Sequence, residues 1–396
     1  MTRVLVIGAG PAGTRCAERI AGNARVTLVS AEPALPYDRI ALGKLLADEV
    51  DPAALITHDS RRLRALGIRY MPSTRVDTLD PAGVAITAQG QRLDFNRAVI
   101  ATGSHAVRLP IPGAELPGVY LYRSMADVQA MRRAAAGGAR AVVIGGGLLG
   151  LEAASSMSAI GAHVTVVHAL GWPMERQLDH AAGALLARQL GATRRLRFVM
   201  PAKTEAIEGT SHVTALRLAD GTRIACDLVV MAVGVRPSVA LARATGLQVD
   251  RGIVVDDAMR TSDPRILAIG ECAEHRGVVC GLVAPALAMA ETAAQTLRDA
   301  PARYAPRPDP AALKVSGIAV WSAGEVAPPD AEAITLSDEE GGLYRRLWLR
   351  DGRLVGAVLY GDTADAPFYL DLLDSGRPVA PFRARLAFGA AFAEAA

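Results

Sequence analysis

The 396-residue sequence has few cysteines and lacks the spacings with which cysteines bind iron–sulfur clusters or zinc. Its four cysteines, Cys16, Cys226, Cys272 and Cys280, are scattered, and no two of them form a C-x-x-C pair. Metal sites of these classes need such closely spaced thiolates. We therefore predict that the chain binds no metal.

The sequence also lacks a strong charge of either sign and a long apolar run. The formal net charge is +3, which gives no reason to expect nucleic acid binding. The longest apolar run, residues 277–290, is shorter than the roughly 20 residues that a bilayer requires. The first strand is expected to begin at Arg3 or Val4, which leaves no room for a signal peptide. We expect a cytoplasmic protein with neither nucleic acid nor membrane as a partner.

The sequence does contain two glycine-rich turns, each between an apolar run and a helical pattern. The first lies in "VLVIGAGPAGTRCAERI" (4–20) and the second in "VVIGGGLLGLEAA" (142–154). In a G-x-G-x-x-G turn the first glycine makes the tight turn, the second lets backbone approach a pyrophosphate, and the third lets the helix pack on the strand. The helix N-terminus then faces the phosphates. Two dinucleotide sites are predicted.

The acid that usually binds the ribose at the end of the second strand is poorly matched in both sites. After "VTLV" the first site offers Ser30 and Glu32, and either could reach the ribose. The second site has His168 at this position, and the nearest arginine for a 2′-phosphate is Arg176. His168 would either contact the ribose or be a half-buried loop histidine, and a preference for NAD is not enforced.

The layout of the chain is duplicated. Each glycine turn is followed by a strand pair and a buried strand, in residues 83–103 with a turn at Gln89-Gly90 and in residues 213–234 with a turn at Asp220-Gly221. A proline-rich joint at 301–310 precedes a strand "KVSGIAVW", a hairpin turning at Asp351-Gly352 and a helix near 364–373. The predicted fold is α/β, with two Rossmann-like three-layer nucleotide-binding domains plus a small C-terminal α+β domain.

Three more loops complete an ordered set of motifs. They are "IATG" (100–103), "AVGVRP" (232–237) and the Gly270-Glu271 pair in "IGECAEHRG". The set resembles the two-dinucleotide-fold flavoprotein reductases related to glutathione reductase, over roughly residues 1–300. The resemblance implies FAD in the first site and NAD(P)H in the second, facing each other so that the nicotinamide can pass hydride to the flavin.

A narrower resemblance covers nearly the whole chain. "LPYDRIALGKLLA" (35–47), "VVHALGWPMERQLD" (166–179), "LKVSGIAVWSAGE" (313–325) and residues 349–376 are similar to the FAD/NADH module of bacterial assimilatory nitrite reductase large subunits. They are equally similar to the flavoprotein electron-transfer subunits of assimilatory nitrate reductase. This implies NADH as the donor, with NADPH possible. It also implies an FAD-binding domain in two segments, 1–112 and 238–308, an NAD(P)H-binding domain at 113–237 and a C-terminal domain at 309–396.

The resemblance assigns two residues to catalysis. Lys44 would approach the flavin ring, and Glu152 would pair with such a lysine near flavin N5. The alternatives are a surface lysine and a first-turn helix acid favoured by the helix dipole. Trp321 would lie beside the flavin or serve plain packing.

The remaining assignments concern cofactor binding. For FAD they are Gly8, Gly10, Pro11, Ala12, Gly13, Ser30, Glu32, Arg39, Lys44, Val76, Ala101, Thr102, Gly103, Gly270, Glu271, Val283 and Trp321. For NADH they are Gly145, Gly147, Leu148, Leu149, Gly150, Glu152, His168 and Gly234.

Departures from the wider family indicate where the electrons go. Disulfide reductases carry C-x-x-x-x-C about 40 residues from the start, whereas "RIALGKLLA" (39–47) has no cysteine. Cys16 and Cys272 are interpreted as structural. The flavin would therefore pass electrons outward to a protein metal centre.

The acceptor is expected to be a separate protein. Because the chain ends at Ala396 without a cysteine cluster for an iron–sulfur or sirohaem module, we expect that it cannot reduce nitrite alone. The expected partner is a nitrate or nitrite reductase catalytic subunit, or a small iron–sulfur protein. The alternatives are a ferredoxin or rubredoxin reductase of another pathway and a non-catalytic nucleotide-binding or regulatory flavoprotein.

Overall fold

The computed structural model describes residues 1–306, 311–315, 317–338 and 340–393. Its strands are β1 Arg3–Ile7, β2 Arg25–Val29, β3 Ile68–Met71, β4 Val76–Asp80, β5 Val84–Thr87, β6 Arg92–Asp94, β7 Arg97–Ile100, β8 Ser104–Ala106, β9 Val119–Leu121, β10 Arg140–Ile144, β11 His163–Val167, β12 Arg197–Val199, β13 Thr204–Gly209, β14 Val213–Leu218, β15 Arg223–Ala225, β16 Leu228–Met231, β17 Val235–Pro237, β18 Ile253–Val255, β19 Ile266–Ala268, β20 Ala273–His275, β21 Val278–Val279, β22 Ala311–Val315, β23 Ile318–Gly324, β24 Glu332–Asp338, β25 Leu343–Arg350 and β26 Arg353–Tyr360.

The helices fall between these strands, and none that the structure describes is long and apolar enough to cross a membrane. They are α1 Pro11–Ile20, α2 Leu42–Leu46, α3 Ser60–Ala65, α4 Met125–Ala135, α5 Leu148–Ala159, α6 His180–Arg194, α7 Ala240–Ala244, α8 Val283–Leu297, α9 Ala366–Ser375 and α10 Ala390–Ala393, with short 3-10 segments at Pro52–Leu55, Gly270–Cys272 and Ala380–Phe388.

The chain divides into two compact units. The first unit comprises Met1–Leu45, Val50–His105 and Val235–Pro306. The second comprises Leu46–Glu49, Ala106–Gly234 and Arg307–Ala396. The finer domain boundaries expected from the sequence stay a prediction.

The first unit is built on a parallel sheet with strand order β19-β7-β1-β2-β3. Its strands are short apolar runs, and all of β1 after Arg3 is buried, as strands covered on both faces must be. Helices α1 and α8 contribute Cys16, Ala17, Met289 and Ala293 to the same apolar core. Since the strands are parallel, the loops after β1, β2, β7 and β19 all leave from one edge of the sheet.

The second unit repeats this plan. A parallel sheet with the order β12-β11-β10-β16-β9 carries the second glycine turn after β10 and His168 after β11. A three-stranded antiparallel sheet, β13-β14-β15, packs beside it in the same apolar core. The hairpin turns predicted at Gln89-Gly90 and Asp220-Gly221 lie where expected, between β5 and β6 and between β14 and β15. The predicted duplication is confirmed.

The C-terminal part of the second unit is an antiparallel sheet with the order β22-β23-β26-β25-β24, and α9 packs on it. The predicted hairpin is confirmed, since Asp351 and Gly352, with φ of 50° and 68°, join β25 to β26. The single predicted strand "KVSGIAVW" is wrong. Two antiparallel strands, β22 and β23, divide this stretch, and Gly317 has a φ of 87° at the reversal. Sequence reasoning treated an apolar stretch as continuous across a glycine that reverses the chain.

A buried carboxylate fixes this sheet to the nucleotide-binding part of the same unit. Asp179 is 4% exposed, and its Oδ1 accepts a hydrogen bond from Ala182 N at the start of α6. Its Oδ2 accepts from Tyr344 Oη at 2.6 Å and from Arg346 Nη1 at 2.9 Å, both on β25. One side chain therefore caps a helix and ties it to a strand.

We predict that Asp179→Ala lowers the free energy of unfolding by about 3 kcal/mol, because two buried hydrogen bonds to a charged acceptor and a helix cap are lost together. Urea denaturation followed by circular dichroism measures this. Asp330→Ala, which removes an exposed partner of Arg350, is the matched control and should change stability far less. Equal losses in the two variants would show that the Asp179 contacts are not stabilising.

Candidate functional site

The first glycine turn fits closely against its own unit at two of its three glycines. Gly8 has a φ of 113°, and a Cβ atom there would overlap the carbonyl oxygen of Ala101. A Cβ atom on Gly13 would overlap the carbonyl oxygen of Gly8. These two glycines are required by the packing of helix α1 on the sheet.

Close packing does not explain the middle glycine of the turn, Gly10. Gly10 has an ordinary backbone conformation (φ −72°, ψ −179°), and the atom nearest to a Cβ there would be Arg39 Nε at 3.9 Å. It is the N-cap of α1, and no side chain caps that helix end. The uncapped N-terminus of α1 and the 3.9 Å of room at Gly10 together fit an anionic pyrophosphate.

The other strand ends of the first unit bring further predicted residues to the same edge. The segment Ala101–Gly103 follows β7, and Gly270 and Glu271 follow β19. Glu271 Oε2 accepts a hydrogen bond from Ser104 Oγ at 2.7 Å. Gly270, with a φ of 75°, lies against Ala12, whose Cβ would be 3.1 Å from an added Cβ. This is the arrangement that a cofactor crossing the ends of several strands needs.

Glu32 is held at the end of β2 by its neighbours. Tyr37 Oη donates to Glu32 Oε2 at 2.7 Å, and the Arg39 guanidinium donates to Glu32 Oε1. The Ser30 hydroxyl accepts from Glu32 N at 3.2 Å, so Ser30 positions the backbone of the acid. A fixed carboxylate at this place is suited to a ribose hydroxyl.

A cavity of about 210 Å³ opens beside the first turn. Its lining includes Gly10, Pro11, Tyr37 and Val283, so the structure brings Val283 at the start of α8 to the glycine turn. The uncapped turn, the fixed Glu32 and Glu271 fit a dinucleotide such as FAD along this edge, and the cavity adjoins the turn.

For three other predicted FAD residues the structure shows only the local setting. Val76 is buried in β4 and paired with Thr87. Lys44 is exposed on the short helix α2. Trp321 is 5% exposed in the apolar core of the C-terminal sheet, which is what the packing alternative predicts. The cofactor roles of all three stay predictions.

The second glycine turn repeats the geometry of the first. Gly145 has a φ of 118°, and a Cβ there would overlap the carbonyl oxygen of Ala232. A Cβ on Gly150 would overlap the carbonyl oxygen of Gly145. At Gly147, the uncapped start of α5, an added Cβ would have nothing within 4 Å. This turn also leaves room and backbone donors for a pyrophosphate.

Three other predicted NADH residues lie in the segments that follow strands β10 and β16 of the second unit. Leu148 and Leu149 form the first turn of α5, where Leu149 is 36% exposed. Gly234, with a φ of 107°, lies in the loop after β16.

Both ring nitrogens of His168 have hydrogen-bond partners within the protein. Its Nδ1 accepts a hydrogen bond from Gly146 N at 3.1 Å, and its Nε2 lies 3.1 Å from Glu175 Oε2. The residue is only 9% exposed. Sequence reasoning missed Glu175, which is the acid that the structure brings to the end of β11. The sequence signal that could have found it is the stretch "VVHALGWPMERQLD", in which Glu175 is the first acid after His168.

Glu152 lies in the first turns of α5 in the second unit, whereas Lys44 lies in the first unit, and their pairing stays a prediction. Burial raises the pKa of Glu152 to about 7, and the hydroxyl of Tyr122 opposes this shift. Burial, together with the negative charge of Glu152, raises the pKa of Tyr122, which therefore stays protonated. Glu152 is a carboxyl that can hold or release a proton near neutral pH.

Two thiols of the first unit, Cys16 and Cys272, are unsuited to electron relay. Burial raises the pKa of Cys16 to about 12 and raises the pKa of Cys272. Cys272 Sγ lies 3.3 Å from the carbonyl oxygen of Ile269. Since the thiolate is the reactive form, these buried cysteines serve packing.

Comparisons with known proteins agree with this architecture. Residues 2–296 match the pyridine nucleotide-disulphide oxidoreductase family, and residues 310–377 match the rubredoxin NAD+ reductase C-terminal domain. A ferredoxin reductase structure from Rhodopseudomonas palustris superposes with a TM-score of 0.88 at 28% identity, covering 96% of each chain.

Two curated relatives come from Bacillus subtilis (strain 168). Nitrite reductase NAD(P)H is 39% identical over 92% of this chain and 46% of its own length. The assimilatory nitrate reductase electron transfer subunit is 37% identical over 95% of this chain and 50% of its own length. The chain thus spans about half the length of these relatives.

The family match covers most of the chain, and the two turns of this structure fit the two nucleotides that such enzymes use. The chain therefore belongs to the pyridine nucleotide-disulphide oxidoreductase family, and its two turns fit FAD and NADH as cofactors.

Proposed function

We propose that this chain passes electrons from NADH through FAD to the catalytic subunit of an assimilatory nitrate or nitrite reductase, directly or through a small iron–sulfur protein. One observation carries the proposal. Each unit has a glycine turn whose middle glycine, Gly10 or Gly147, is required neither by φ nor by packing, at a helix end that no side chain caps. Two such turns suit a reductase that holds two dinucleotides.

Each unit has a distinct part in this proposal. Helix α1, Glu271 and the Arg39-supported Glu32 would hold FAD, which when bound accepts hydride and releases electrons singly. Helix α5 would hold the pyrophosphate of NADH, and the loop ending at Gly234 would pass beside it. Glu152 would hold or release a proton close to the start of α5.

The identity of the acceptor rests on two supports. Cys16 and Cys272 are buried, and the stretch 39–47 around Lys44 has no cysteine, which supports outward transfer of the electrons. The relatives from Bacillus subtilis include one named as an electron transfer subunit of assimilatory nitrate reductase.

A rubredoxin or ferredoxin reductase is the second candidate. A specific observation favours it, because residues 310–377 match the C-terminal domain of rubredoxin NAD+ reductases. The same fold type with the same cofactors could deliver electrons to either class of acceptor.

We predict that NADH reduces the protein-bound flavin rapidly under anaerobic conditions, and NADPH much more slowly. Stopped-flow absorbance at about 450 nm measures both rates. The reduced protein should then be reoxidised by a nitrate reductase catalytic subunit, with rubredoxin and a ferredoxin tested in parallel. Faster reoxidation by rubredoxin would favour the second candidate. A flavin that neither nucleotide reduces would contradict the reductase function.

We predict that Gly147→Ala weakens NAD+ binding at least tenfold without lowering the melting temperature, because the methyl group enters open space beside α5 where a phosphate would lie. Isothermal titration of the FAD-loaded protein measures the affinity. Gly145→Ala is the matched variant, and it should lower the melting temperature since its Cβ overlaps Ala232. Unchanged NAD+ affinity in Gly147→Ala would place the pyrophosphate elsewhere.

We predict that Glu152→Gln makes the protein more heat-stable than the wild type at pH 8 but not at pH 4.5. Burial raises the pKa of Glu152 from its ordinary 4.5 to about 7, so the native state favours the protonated carboxyl. The wild type therefore loses stability as the pH rises from 4.5 to about 7, and the loss is complete above that. Melting temperatures of both proteins from pH 4.5 to 8 measure the difference. A constant difference would show that Glu152 is not desolvated.

A further inference from the structure

The end of strand β11 is the place where dinucleotide-binding folds present an acid to the ribose of NAD, and this chain has His168 there. The geometry shows that His168 cannot do this directly. A backbone N–H can only donate, so Gly146 N makes His168 Nδ1 an acceptor and places the ring proton on Nε2. That proton is donated to Glu175 Oε2 at 3.1 Å. Both ring nitrogens are therefore occupied by the protein.

The segment that carries Glu175 is fixed to the glycine turn by a second contact. Met174 N donates to the carbonyl oxygen of Gly146 at 2.9 Å, and Met174 is 1% exposed with a φ of 55°. Gln177 N and Leu178 N both donate to the carbonyl oxygen of Met174. The N–H of Gly146 is thus linked to Glu175 through the histidine ring. The carbonyl oxygen of Gly146 accepts directly from Met174 N.

The second glycine turn differs from the first at the residue that the histidine ring covers. The first turn reads Gly8-Ala9-Gly10, whereas the second reads Gly145-Gly146-Gly147. A Cβ on Gly146 would be 2.8 Å from His168 Cγ and 3.1 Å from its Cδ2. The extra glycine is explained by the histidine ring that lies over the turn.

We propose that Glu175, held by His168, is the residue that selects NADH over NADPH. Its carboxylate is separated from the glycine turn by one imidazole ring, and its side chain is 22% exposed. Oε2 accepts the hydrogen bond from His168 Nε2, which leaves Oε1 to accept from the 2′-hydroxyl of the adenosine ribose. The same negative charge opposes a 2′-phosphate. His168 is then a positioning residue, and Glu175 makes the contact. The inference rests on the second turn binding NADH.

The test compares the affinities of NAD+ and NADP+, which bind without reducing the flavin, for the FAD-loaded protein by isothermal titration. Glu175→Gln is isosteric and still accepts the histidine proton, so it removes only the charge. We expect it to weaken NAD+ binding about fivefold and to tighten NADP+ binding about tenfold. Glu175→Asp keeps the charge and should stay within threefold of the wild-type ratio.

Glu205→Gln is the matched control, since it neutralises an exposed acid of the same unit that pairs with Arg217 on the antiparallel sheet. It should leave both affinities unchanged. An unchanged ratio in Glu175→Gln, or equal weakening of both nucleotides, would overturn the inference and leave Glu175 as a structural support. A wild type that binds neither nucleotide would overturn the nucleotide site together with the inference.

Discussion

Both nucleotide sites depend on one close approach between two stretches of backbone. In each unit the first glycine of the turn, Gly8 or Gly145, lies against the carbonyl oxygen at the end of a neighbouring parallel strand. This contact brings the turn over the edge of the sheet and aims the following helix at the place where the phosphates bind. A side chain at either position would separate the turn from the strand, and the other loops of that edge would no longer surround one site.

The parts of the fold that the sequence predicts are those that local chemistry specifies. Glycines with positive φ, such as Gly352, and short apolar strands mark the duplicated units and the C-terminal hairpin. The strand "KVSGIAVW" was predicted wrongly because apolar residues flank Gly317 on both sides, and only pairing between β22 and β23 reveals the reversal. Glu175 was missed because seven residues separate it from His168, and a left-handed Met174 returns it to the strand end.

The cysteines explain how this chain differs from what the family name suggests. The family is named for disulphide chemistry, yet Cys16 on the first helix lies in the core, Cys272 lies beside a backbone carbonyl, and burial raises the pKa of each. A thiol that stays protonated neither attacks a disulfide nor shuttles electrons. A two-unit scaffold of this kind can host different acceptors on the same nucleotide turns, since function depends on the site rather than on the fold.

The two turns share a sequence pattern but differ in the hydrogen bonds of their second residue, Ala9 or Gly146. In the first, the carbonyl oxygen of Ala9 accepts a hydrogen bond from Thr14 Oγ1 of its own helix. In the second, the N–H of Gly146 is already used by His168. Binding of a pyrophosphate at the second turn must then rely on the N–H groups of α5, beginning at Leu148. His168 therefore uses the N–H of Gly146 to hold Glu175 next to the turn at which α5 begins.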